Sequence, residues 1–142
     1  MKVELTTGWP WEKIASYGPE ITAAMKKLEA RFPREVTVQQ LYKDIQDGKR
    51  QLWLIMEDDG RFLSFVLTNI QTNEGTGLKT LVIPSLAGDE GEGAVPLIAE
   101  LEKWGKSQGC GESLVYGRYG WKRSLAKEGY DMHMAVFRKP LE

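Results

Sequence analysis

Few side chains in this sequence can do chemistry. Among 142 residues there is one histidine, His133, and one cysteine, Cys110. Together they leave no zinc site of ordinary ligand type. A lone cysteine cannot close an internal disulfide, so the expected compartment is a reducing one, the cytoplasm. Glu57 and His133 are chemically able to take a proton, and Tyr116 and Tyr119 to give one. The run Gly88-Asp89-Glu90-Gly91-Glu92-Gly93-Ala94 stands ahead of a helical pattern. Gly91 and Gly93 there allow the backbone to approach a ligand closely, while Asp89, Glu90 and Glu92 suit the first turn of a helix. Arg118, Lys122, Arg123 and Lys127 form a basic cluster, which reads as an anion-facing patch or as a solvated helix face.

These groups sit in a chain of ordinary globular make-up, 42% hydrophobic and 27% charged. That composition excludes wholesale disorder, collagen and coiled coil, and the length suits one domain over residues 1–142 with a core of its own. No apolar run approaches the roughly 18 residues of a membrane span. The start, MKVELTT, lacks the apolar segment of a signal peptide. Net charge is −1, and a pI near 5.9 argues against nucleic acid as a partner. The charge is unevenly laid out. Residues 51–100 carry 2 basic and 8 acidic side chains, residues 101–142 carry 8 basic and 5 acidic.

The elements that must position the groups are legible in the hydrophobic periodicity. Val3 and Leu5 alternate with polar neighbours as a short strand does. Pro10 to Arg31 is helical in pattern, broken by Gly18-Pro19 into a kink or two abutting helices. Thr37-Val38-Gln39-Gln40 reads as a capping box for a helix that Gly48 ends. Gln51–Met56 and Arg61–Thr72 are antiparallel strands about an Asp58-Asp59-Gly60 turn, and Leu78–Leu86 is a third. Ala94–Gln108 is a helix with Leu97, Ile98, Leu101 and Trp104 on one stripe. Ser113–Tyr116 is a short strand, Trp121–Lys127 a short helix, and Tyr130–Phe137 a final strand alternating Met132, Met134 and Val136 with His133, Ala135 and Phe137. The class is mixed α/β (α+β), with a sheet of about six strands: an antiparallel meander, then a β-α-β crossover, with helices on both faces. Trp53 and Trp104 are expected in the core, and Trp9 and Trp11 as a staple around Pro10.

This order and its punctuation resemble the GNAT (Gcn5-related N-acetyltransferase) fold. The likeness covers about residues 37–139 and is carried by three segments. They are Val82-Ile83-Pro84 followed by the glycine loop, Trp104-Gly105-Lys106-Ser107-Gln108-Gly109-Cys110 leading into Ser113-Leu114-Val115-Tyr116, and Leu125-Ala126-Lys127-Glu128-Gly129-Tyr130. Gly48, Gln51-Leu52-Trp53 and Gly117-Arg118-Tyr119-Gly120-Trp121 are similar to a small phage- and prophage-borne branch of that family, which implies a host cytoplasm or a virion as the setting.

The resemblance implies acetyl-CoA as co-substrate, with no metal. It places the pyrophosphate on backbone amides around Gly91, Gly93 and Ala94 at a helix N-terminus. It places the thioester carbonyl on an amide near Ser85 and Leu86, and offers Arg118 and Trp121 as a phosphate partner and a stacking ring. Glu57 would serve as base, and Tyr116 or Tyr119 as the acid. Departures are plain: Gly88 stands where the family has Gln or Arg, three acids crowd the loop, and Leu125 occupies the family's tyrosine acid position. Two functions follow. One is an N-acetyltransferase acting on a small-molecule or protein amine. The other is a catalytically silent GNAT-fold phage protein that acts through protein contacts, as a particle or assembly component.

Overall fold

The computed structural model describes residues 1–86 and 93–142. Strand β1 (Lys2–Leu5) is followed by helices α1 (Trp11–Ala15), α2 (Gly18–Arg31) and α3 (Val38–Gln46), and then by strands β2 (Gln51–Met56), β3 (Phe62–Thr72) and β4 (Lys79–Leu86). A 3-10 turn at Val95–Leu97 leads into α4 (Ile98–Ser107), then β5 (Glu112–Val115). A second 3-10 turn at Tyr119–Trp121 opens α5 (Lys122–Lys127). Among the described residues the strands form one sheet in the order β1-β2-β3-β4-β5. The first three pairings are antiparallel and β4–β5 is parallel, which needs a crossover, and α4 supplies it.

Local chemistry explains most boundaries. Pro19 lies in the first turn of α2, where its missing N–H costs nothing, so the chain makes two abutting helices rather than one. Thr37 caps α3 by accepting the amide of Gln40 at 3.2 Å. The reciprocal half of the box is not made. The Gln40 side chain donates instead to Asp44 at 2.8 Å, and Glu29 on α2 accepts the Val38 amide at 3.1 Å. That bond from Gln40, and then the Arg50 guanidinium, hold the Asp44 carboxyl below its ordinary value, against an opposing push from burial.

The sheet is buried on both faces. On one, Ile21, Met25 and Leu28 of α2 and Leu41 of α3 pack on Leu52, Leu54, Met56, Phe65 and Leu67. On the other, Ala94, Val95, Ile98 and Leu101 pack on Trp53, Ile55, Val66, Leu81 and Ile83. Strand β2 is therefore a continuous apolar run rather than an alternating one, as a strand covered on both sides should be. The indole of Trp53 meets Trp104 edge-on, 5.7 Å between centroids. Its N–H donates to the fully buried Thr68 Oγ1 at 3.0 Å, and that hydroxyl donates on to Gln51 at 2.9 Å.

Three expectations are corrected. The final strand is absent: Tyr130–Phe137 has no strand partner, so the described sheet has five strands, not six. The alternating pattern is real, but a strand needs an edge to pair with, and in this chain the segment lies along none. The helix expected from Ala94 begins as a 3-10 turn at Val95, because Pro96 favours the tight first turn. Of the two tryptophans around Pro10, Trp9 packs on Tyr17 with Lys13 over its ring at 3.8 Å, while Trp11 is 73% exposed and staples nothing. Among the described residues no helix is long and apolar enough to cross a membrane.

Phe65 is fully buried at the centre of the first cluster. Truncation to alanine removes its contacts and leaves a cavity, so Phe65→Ala should lose about 3–5 kcal/mol of unfolding free energy in a urea titration followed by circular dichroism. A loss under about 1 kcal/mol would mean the two layers are not closed on this ring.

Candidate active site

The geometry of interest begins at Pro84. Leu67 pairs with Ser85 and Asn69 with Val82, two steps on β3 against three on β4. Strand β4 thus carries one extra residue at Ile83–Pro84, a bulge that bends it. The parallel pairing with β5 ends there: Val115 is the last partner of Ile83, and the Tyr116 amide donates to the Ile83 carbonyl at 3.0 Å. Pro84 has no amide hydrogen to continue the ladder. Beyond it Ser85 and Leu86 stay paired with Leu67 and Val66 of β3, while the other chain turns off through Gly117 and Arg118. The two parallel strands therefore open into a wedge. Bonded and non-bonded pairs alternate along an antiparallel ladder. Of the neighbouring pairs Leu67–Ser85 and Val66–Leu86, one accordingly leaves its β4 amide directed away from β3, into the opening.

The far wall is built by the turn after β5. A Cβ on Gly117 would stand 2.9 Å from the Trp121 ring and 3.2 Å from Leu125, so only glycine lets the chain pass. Trp121 and Leu125 are half-buried against the second core cluster. Tyr116, at 56% exposure, and Tyr119, at 76%, face solvent, as does Arg118. A shallow hollow of about 660 Å³ opens beside them, lined by Tyr119, Gly120, Lys122, Arg123, Ser124 and Ala126. Its cations make that wall electropositive.

Helix α5 closes in a way that explains its Gly-Tyr ending. Gly129 adopts φ +88°, its amide donating to the Ala126 carbonyl and that of Tyr130 to the Leu125 carbonyl, each at 3.0 Å. This is a Schellman motif, whose C3 and C″ residues, Leu125 and Tyr130, are apolar partners by rule. Both pack on the second cluster. The Tyr130 hydroxyl bonds Glu102 on α4 at 2.6 Å and Ser113 on β5 at 2.7 Å. Burial, and then the carboxylate of Glu102, push its pKa well above the usual tyrosine value.

The sequence-predicted residues fall in separate places. Tyr116, Arg118, Tyr119 and Trp121 stand in the stretch between β5 and α5, and Ser85 and Leu86 at the end of β4, paired with β3. Glu57 is elsewhere, at the β2–β3 hairpin, with Arg61 at 3.6 Å. It lies six residues along β2 from Gln51, the level of Tyr116, about 20 Å away along the sheet. His133 is exposed in the unpaired segment after α5 rather than on a strand. Gly91 lies outside the described residues. Gly93 is exposed in a turn, and Ala94, buried, begins the approach to α4. Sequence reasoning missed the bulge and the Trp53–Thr68–Gln51 chain beside it. A proline inside an otherwise apolar strand was the available signal for the first. Among the described residues no group of three or more His, Cys, Asp or Glu could hold a metal ion.

Two substitutions probe this wall. Gly117→Ala should displace the Trp121 ring, cost about 1–3 kcal/mol of stability and alter tryptophan fluorescence. Unchanged emission would mean that Trp121 is not held against this turn. Tyr130 keeps its proton more tightly folded than unfolded, so its contribution is complete below pH about 10 and lost as pH rises through the higher folded value. The stability gap between the wild type and Tyr130→Phe should therefore narrow above that pH in urea titrations. A gap that stays constant would show that the phenol is not held by Glu102.

No protein-family model and no curated sequence matches the chain. Solved structures do. Glucosamine-6-phosphate N-acetyltransferase from Arabidopsis thaliana superposes with TM-score 0.69 at 14% identity over 99% of this chain and 98% of its own. An acetyltransferase from Trypanosoma brucei gives 0.67 at 14% over 99% of both chains. Ribosomal-protein-alanine N-acetyltransferase from Brucella melitensis gives 0.65 at 12% over 99% and 100%. At such identities the likeness concerns architecture, and it extends over the whole chain. The fold is that of the GNAT acetyltransferases.

Proposed function

We propose that this chain is an N-acetyltransferase that moves the acetyl group of acetyl-CoA to a primary amine on a small molecule or a protein. The observation that carries the reading is the wedge at Pro84, which frees a β4 amide at Ser85 or Leu86. An amide fixed in a sheet is a preorganised donor for the oxygen of a thioester carbonyl as an amine attacks it. The solved relatives named above act, by their names, on a sugar amine and on a protein alanine, which supports amines as the acceptor class.

The other roles are assigned by chemistry and position. Arg118 supplies positive charge beside the opening for a phosphate, and Trp121 a ring edge. Tyr116 and Tyr119 are the phenols near enough to the wedge to return a proton to the leaving thiolate. Gly93 and Ala94 keep the entry to α4 free of bulk, and Gly91, outside the described residues, is assigned to the same binding only by the resemblance. Glu57, paired with Arg61 at the hairpin about 20 Å along the sheet, is too far to take the amine's proton.

The acids Asp89, Glu90 and Glu92 oppose anion binding, each by order 1 kcal/mol at about 4 Å in water. Leu125 is committed to the Schellman contact, so no phenol stands at the family's acid position. That favours the second reading, a catalytically silent protein that uses the same fold for protein contacts.

Calorimetric titration with acetyl-CoA and CoA separates the two. The enzyme reading expects measurable heat and a thermal shift, since ligand at 100 times its Kd adds about 2.7 kcal/mol. Changing Asp89, Glu90 and Glu92 together to Gln should tighten binding, with a gain that shrinks as salt rises. Gly93→Val and Arg118→Ala should weaken it. No heat from any of these proteins at millimolar CoA removes the enzyme reading and leaves the contact protein.

A further inference from the structure

The internal methionines fall into two kinds. Met25 and Met56 are buried in the first core cluster, where an apolar side chain belongs. Met132 is 52% and Met134 70% exposed, and the chain's single histidine, His133, stands exposed between them. Two thioethers and an imidazole thus occupy three consecutive residues of the segment after α5.

Nothing in the fold uses these groups. Among the described residues, Asp131–Phe137 make no backbone hydrogen bond, and no side chain from Asp131 to Met134 is hydrogen-bonded or ion-paired. The transfer reaction proposed above gives none of them a part.

The spacing lets one ion be shared. Residues two apart have Cα atoms at most about 7 Å from each other, and a methionine side chain has three rotatable bonds ending near a polarizable sulfur. Both sulfurs therefore reach a common point beside the backbone at His133. That backbone has no ladder bonds to lose, so it is free to turn the imidazole toward the same point. Just before the segment, Tyr130 is fixed by Glu102, Ser113 and the Leu125 carbonyl. Just after it, Arg138 pairs with Glu35. With both ends held, less chain freedom is lost when an ion orders the residues between them.

The donor set selects the ion. Magnesium and calcium take oxygen ligands, and zinc takes thiolate, imidazole and carboxylate. Thioether sulfur is a soft donor that suits monovalent copper, and imidazole suits copper as well. We propose that Met132, His133 and Met134 form a binding site for one Cu(I) ion, held by two thioether sulfurs and one imidazole nitrogen. The ion enters and leaves as Cu(I), so no electron is transferred.

Competition for Cu(I) against a chromogenic chelator, under ascorbate and nitrogen on the full chain, tests this. One ion per chain is expected, with no comparable uptake of Zn(II). Met132→Leu with Met134→Leu should weaken binding at least about tenfold and leave the circular dichroism unchanged, since both side chains are exposed. His133→Asn should weaken it too, while Cys110→Ser, which removes the chain's one thiol, should keep it. With Ag(I) as a redox-inert stand-in, the methyl resonances of Met132 and Met134 should shift and those of Met25 and Met56 stay in place, a readout on the wild type alone. A wild type that takes no Cu(I) from the chelator overturns the proposal. So does binding that survives the double methionine variant, or that disappears with Cys110→Ser. The outcome is independent of whether acetyl-CoA binds.

Discussion

Pro84 has no amide hydrogen, and the sheet is arranged around that loss. A parallel ladder between β4 and β5 could run on past Val115 if every residue of β4 offered a donor and an acceptor. At Pro84 it cannot, and the extra residue in β4 turns the strand at the same place. β3 keeps Ser85 and Leu86 in the sheet, so β4 survives while β5 departs. One missing proton thus produces an opening inside the sheet, where backbone polar groups are ordinarily used up in pairing.

Such an opening weakens the sheet locally, and the two packed layers offset it. α2 and α3 cover β2 and β3 on one face, and α4 covers β2 to β4 on the other, so the strands beside the wedge are clamped from both sides. The Trp53–Thr68–Gln51 chain runs opposite the bulge, where β3 has one residue against two. Trp53 fills space with its ring and satisfies its N–H on Thr68, so this polar group is buried without an unmet donor. The arrangement favours a rigid amide at the wedge over a mobile one, as a preorganised donor requires.

The outer wall is set by the ending of a six-residue helix. α5 is too short to be stable alone. It is held by the Schellman closure at Gly129 and by the burial of Trp121, Leu125 and Tyr130. Leu125 is therefore structural where a phenol would be chemical, and Tyr130, the large aromatic of this ending, is bonded to Glu102 and Ser113. Tyr116 and Tyr119, the phenols of the proposed function, stand between β5 and α5.

What the sequence by itself determined was the local grammar. The helix stops at Gly48 and Gly109, the Asp-Gly hairpin, the abutting helices at Pro19 and the strand patterns of β2 to β5 follow from propensity, capping and period, which act over a few residues. The meander and the crossover were legible for the same reason: antiparallel neighbours need short turns and a parallel pair needs a helix between. Tertiary structure alone decided three things. Whether Tyr130–Phe137 becomes a strand depends on an edge far away in sequence, and no pattern within the segment reveals that its own edge lies out of line. Where residues lie relative to the wedge depends on how far β4 runs beyond β5; hence Tyr116, Arg118, Tyr119 and Trp121 stand in the stretch just after β5, while Glu57, on a strand of the same sheet, lies about 20 Å off. And the register shift at Ile83–Pro84, one residue in eight, is a property of two paired strands, so it becomes visible only when both are laid side by side.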